Sequence, residues 1–93
     1  MNLNKEIPVS KVLQVIEENL KFNKSLRLHE AFRAVSNTYN ELLDLDYSPV
    51  DLSINEFIYE IENADYLSNV HEHRQVIEVL LNELLDYYIE ISA

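Results

Sequence analysis

Apolar residues in the stretch 69–91, NVHEHRQVIEVLLNELLDYYIEI, recur at Val70, Ile77, Leu84 and Ile91, with Leu80, Leu81 and Tyr88 filling the turns between them. A spacing of seven with these intermediate positions is the stripe of one amphipathic helix. At 1.5 Å per residue that helix would run about 35 Å, the long dimension of a small domain. The same period runs through the earlier chain. Val9, Val12, Leu13, Ile16 and Leu20 form one face of a helix that opens at Pro8, whose missing N–H is no loss in a first turn, and continues to about Phe22. After the break Asn23-Lys24-Ser25, with Ser25 as N-cap, Leu28, Ala31, Phe32, Val35, Tyr39 and Leu42 mark a second helix. Ser48-Pro49 and the capping-box spacing of Ser53 and Glu56 then predict a turn and a third helix from near Ile54, which buries Phe57, Ile58 and Ile61. Ser68 or Asn69 caps the fourth.

The pattern repeats. Shifted by 42 residues, Leu28-His29-Glu30 falls on Val70-His71-Glu72, Val35 on Ile77, and the pentapeptide NELLD at 40–44 on NELLD at 82–86. The same shift lays Val12, Val15, Ile16 and Glu18 on Ile54, Phe57, Ile58 and Glu60. The expectation is an all-α fold, a four-helix antiparallel bundle forming one domain over 1–93, built as two repeated helical hairpins at about 8–46 and 49–91. Short connections favour antiparallel neighbours, with two steeply crossing hairpins as the alternative.

Composition removes several kinds of chemistry. The 93 residues include no Cys and no Gly. Thiolate nucleophiles, disulfides and cysteine metal sites are excluded, and so are the glycine turns that cradle phosphates. No apolar run approaches the length of a membrane span, and the opening MNLNKEIPVS lacks the apolar stretch of a signal peptide, so a soluble cytoplasmic protein is expected. Charge then separates the two halves. Residues 1–34 carry six basic and four acidic side chains, whereas residues 35–93 carry one basic and thirteen acidic, within a formal net charge of −10. Between Arg33 and Arg74 there is no Lys or Arg. Such a field repels nucleic acid and anionic membrane and attracts basic protein surfaces.

Catalytic patterns are thin. His71-Glu72-His73 offers neighbours rather than the i, i+3 or i+4 spacing that puts metal ligands on one helix face. The pairs Glu41/Asp44, Glu62/Asp65 and Glu83/Asp86 have a spacing that can hold Mg²⁺, as in all-helical nucleotide pyrophosphohydrolases. The ExxE half of that pattern is missing, and a solvated acidic face accounts for the pairs better. No base stands beside a nucleophile in any recognisable arrangement. A non-enzymatic protein without cofactor or metal is expected. The informative exposed feature is tyrosine among carboxylates: Tyr47 beside Asp46, Tyr59 between Glu56, Glu60 and Glu62, and Tyr66 beside Asp65. Tyrosine gives large contact area at low entropic cost, and carboxylates around it pair with Lys and Arg of a partner. Asp46, Tyr47, Glu56, Tyr59, Glu60, Glu62, Asp65 and Tyr66 are therefore the candidate partner-binding residues.

The run from Glu30-Ala31-Phe32 through Tyr39-Asn40-Glu41-Leu42-Leu43-Asp44-Leu45-Asp46-Tyr47-Ser48-Pro49, followed by Ser53-Ile54-Asn55-Glu56-Phe57-Ile58-Tyr59-Glu60-Ile61, resembles small helical immunity proteins of Maf-type and contact-dependent-inhibition systems of bacteria. The resemblance implies a protein that binds and neutralises a cognate toxin, frequently a nuclease, by covering its basic active site. It supplies no residue list. The alternative is a non-catalytic helical regulatory protein that acts as a homodimer or on a partner helix, with the run Leu80, Leu81, Leu84, Leu85, Tyr87 and Tyr88 as its seam.

Overall fold

The structure is a computed structural model that describes residues 6–44, 52–63 and 74–92. It is all-α, a four-helix bundle: α1 is Val9–Leu20, α2 Leu26–Asp44, α3 Ile54–Asn63 and α4 Arg74–Ser92. Each helix follows the period found in the sequence. Pro8 stands immediately before α1 with extended ψ, and its carbonyl accepts the Lys11 and Val12 N–H groups, so it caps the helix rather than sitting inside it. Ser25 caps α2 by accepting the Leu28 N–H at 3.3 Å, and Ser53 caps α3 by accepting the Glu56 N–H at 3.2 Å. The cap predicted at Ser68 or Asn69 and the start of the fourth helix at 69–73 lie outside the described residues.

The core is one cluster fed by every helix. Val9, Val12, Leu13, Ile16 and Leu20 of α1 meet Ala31, Val35, Tyr39 and Leu42 of α2, Ile54, Phe57 and Ile61 of α3, and Ile77, Leu80, Leu81, Leu84, Leu85 and Tyr88 of α4. Tyr39 and Phe57 cross edge to face, with centroids 5.7 Å apart at 89°. Among positions related by the 42-residue shift, Val35 and Ile77, Tyr39 and Leu81, and Leu42 and Leu84 are all buried, whereas Ile16 is buried and Ile58 only half-buried, and Leu43 is exposed while Leu85 is buried. The apolar run of α4 read as a dimer seam is consumed by the molecule's own core, apart from Tyr87, which is half-buried and holds a hydrogen bond from Asn23.

Polar contacts set the order of the helices. α2 and α4 share the most extensive interface, and Asn23 on Tyr87 with Arg27 on Glu83 shows them running antiparallel. At the other end the chain just before α1 pairs with the chain just before α3: Val9 N–H donates to the Leu52 carbonyl at 2.8 Å and Ile54 N–H to the Ile7 carbonyl at 3.0 Å. Arg74, opening α4, donates to the Glu62 carbonyl near the end of α3. The third helix is thus fastened to the start of α1 and the start of α4. No helix among the described residues is long and apolar enough to cross a membrane.

Candidate functional site

The α3 helix turns Ile54, Phe57 and Ile61 inward, and the period that buries them leaves Asn55, Glu56 and Tyr59 in water. Tyr59 is 64% exposed, far more than a tyrosine filling an edge of its own core needs. Around it lies an open groove of about 320 Å³ lined by Leu52, Asn55, Glu56, Tyr59 and Glu60. Its lining combines an apolar and an aromatic side chain, Leu52 and Tyr59, with two carboxylates, Glu56 and Glu60. Three of the residues anticipated as partner-binding, Glu56, Tyr59 and Glu60, are therefore gathered into one feature. Leu52 and Asn55 complete it. Both lie three or four positions from Glu56 or Tyr59, so a helical-face count taken from Tyr59 finds them.

Glu62 is set apart. Helical rotation carries it from the groove toward α4, where Arg74 holds its carbonyl and Glu78 faces its side chain. Glu78 Oε1 is buried without a hydrogen-bond partner. Desolvation first, then the hydrogen bond and negative charge of Glu62, raise the Glu78 pKa above the ordinary glutamate value, while Arg74 opposes the shift. Asp46, Tyr47, Asp65 and Tyr66, the other four candidates, lie outside the described residues.

Several polar side chains elsewhere bond within the fold. His29 bonds the Asn23 carbonyl through Nε2 at 2.7 Å, so that nitrogen carries the hydrogen. His71 and His73 lie outside the described residues, among which no three His, Asp or Glu side chains converge as a metal site would need. Glu83 is held by Arg27 in a two-point contact at 2.8 and 2.9 Å. That contact lowers the Glu83 pKa and raises that of Arg27. Glu41 and Asp44 line a shallow polar groove with Asn37, Thr38 and Asn40.

Comparison with known proteins leaves the chain on its own: no protein-family model, no curated protein and no solved structure matches it.

Proposed function

We propose that this chain is an acidic inhibitor of the immunity-protein kind, which binds a cognate basic toxin with nuclease activity and covers its nucleic-acid-binding site. The observation that carries this reading is the α3 groove, where an exposed tyrosine stands between Glu56 and Glu60 on a segment of sequence without a single Lys or Arg from 34 to 73. Carboxylates in that arrangement occupy the places phosphates would take on a basic surface, and an aromatic beside them supplies the desolvated contact that charge alone does not. Asp46, Tyr47, Asp65 and Tyr66 flank the same helix in sequence and belong to the proposed surface, and Glu62 stands at its margin toward α4.

The test is reconstitution. The tagged chain is used to capture its partner from the native host at low and at moderate salt, and the partner's nuclease activity is then assayed with purified proteins. The expected result is a basic partner released by salt, inactive with the wild-type chain and active with the Glu56→Lys/Glu60→Lys double variant. An affinity unchanged by that double reversal sinks the proposal. The regulatory alternative draws on Val76 and Val79, which are 53% and 52% exposed on α4. It predicts capture of a helical partner that salt does not release.

A further inference from the structure

The turn between α1 and α2 is fixed through a single residue. Asn23 Oδ1 accepts the Ser25 N–H at 2.8 Å, Asn23 Nδ2 donates to the Tyr87 hydroxyl at 3.3 Å, and His29 Nε2 donates to the Asn23 carbonyl at 2.7 Å. The Asn23 N–H in turn reaches the Leu20 carbonyl at 3.2 Å. What this tied turn displays is apolar. Phe22 is 89% exposed and Leu26 77%. A phenylalanine left in water forgoes the gain of burial, and a turn tied in this way that holds it out has its ordering cost met in advance.

Its charge is opposite to that of the rest of the molecule. Residues 21–27 carry Lys21, Lys24 and Arg27 and no acidic side chain, in a chain of net charge −10. Arg27 is engaged with Glu83, which leaves Lys21 and Lys24 as the flanks of Phe22. The complementary feature is the groove described above, lined by Leu52 and Tyr59 together with Glu56 and Glu60. The two cannot meet within one molecule. The groove adjoins the start of α1 through the pairing of Val9 with Leu52, whereas Phe22 follows its end, and 12 helical residues separate the two by about 18 Å.

We propose that two copies of this chain associate head to tail, Phe22 of one seating between Leu52 and Tyr59 of the next, with Lys21 and Lys24 against Glu56 and Glu60. The contact joins two different surfaces, so each pair leaves one turn and one groove open and further copies can add. The association needs no other protein and is tested without one. It uses the groove assigned above to a basic toxin, so such a partner competes with it.

Light-scattering mass is measured against concentration at low and moderate salt, with circular dichroism confirming the helices of each variant. The wild-type mass is expected to climb above 11.0 kDa with concentration and to fall back as salt rises. Phe22→Ala alone and Glu56→Lys/Tyr59→Ala alone are each expected to remain monomeric. Mixing the two, one with its groove intact and the other with its turn intact, should restore association that stops at a dimer. A wild-type chain that stays monomeric to millimolar concentration overturns the proposal. So does association that survives Phe22→Ala, or a mixture of the two variants that stays monomeric.

Discussion

Glu78 and Glu83 lie on the same helix, and their surroundings push their titrations in opposite directions. Glu83 meets the Arg27 guanidinium, which favours its charged form. Stability from that pair is present above the ordinary glutamate pKa and is lost as pH falls through the lowered folded value. It is an exposed contact, so salt weakens it. Desolvation first, and then Glu62, raise the pKa of Glu78 above the ordinary glutamate value. Its folded pKa lies above its unfolded one, so the stability it contributes is complete below the ordinary glutamate value and is lost as pH rises through the raised folded value. Above that pH two carboxylates face each other at the junction of α3 and α4 with only Arg74 to offset them. Glu78→Gln keeps a donor in place at every pH. It is expected to raise the unfolding midpoint at pH 8 by the equivalent of at most about 1 kcal/mol, because water still reaches the pair, and to leave the midpoint at pH 4 unchanged. Urea titrations at the two pH values check this, and a larger gain at pH 4 would contradict it.

The junction that Glu78 affects belongs to α3, with 10 residues the shortest helix among the described residues and the one that carries the groove. A helix of that length does not hold itself together in water. Its cap at Ser53 and its burial of Ile54, Phe57 and Ile61 fix its place. Ser53→Ala is expected to cost about 1 kcal/mol, and Phe57→Ala, which also removes the edge contact with Tyr39, about 3–5 kcal/mol. Chemical denaturation measures both, and a neutral Phe57→Ala would show that α3 does not depend on the core. The starts of α2 and α3 and much of the inward face of each helix were legible from the sequence, because a period of 3.6 and two serine caps carry that information locally, whereas α1 ends at Leu20, short of the expected Phe22. Less legible was how far each side chain goes in. Leu28 and Phe32, on the expected stripe of α2, and Ile58, expected to be buried by α3, are half-buried, while Thr38 is buried with its hydroxyl donating to the Ala34 carbonyl at 2.9 Å. The position of α2 against both α1 and α4 sets that depth, and no local pattern encodes it. The site divides in the same way. Glu56, Tyr59 and Glu60 share a face by spacing alone, whereas the turning of Glu62 toward Glu78 depends on where α4 lies. The Arg27–Glu83 contact spans 56 positions and carried no sequence signal.

Over the whole molecule, charge and shape are arranged end to end. The basic turn at 21–27 and the acidic groove beside Leu52 are separated by the length of α1, about 18 Å. That exceeds the roughly 8 Å over which salt lets charges interact at physiological ionic strength, so an approaching protein meets the field of one end at a time. Carboxylates at the edge of a contact act chiefly on encounter, while a seated aromatic acts chiefly on escape. The two kinds of groove residue should therefore separate kinetically. Against the proposed basic partner, Glu56→Lys and Glu60→Lys are expected to slow association and flatten its salt dependence, with little change in dissociation. Tyr59→Ala is expected to leave association nearly intact and to speed dissociation by about thirtyfold, the equivalent of about 2 kcal/mol for an interface anchor. Glu62→Lys tests the boundary of the surface. It should affect association less than Glu56→Lys, because its side chain faces α4, and it should stabilise the fold by replacing the repulsion at Glu78 with an ion pair. Surface-immobilised binding measurements at several salt concentrations resolve these rates. If Glu62→Lys slowed association more than Glu56→Lys did, the partner would be meeting the α3–α4 junction, and the groove around Tyr59 would not be its centre.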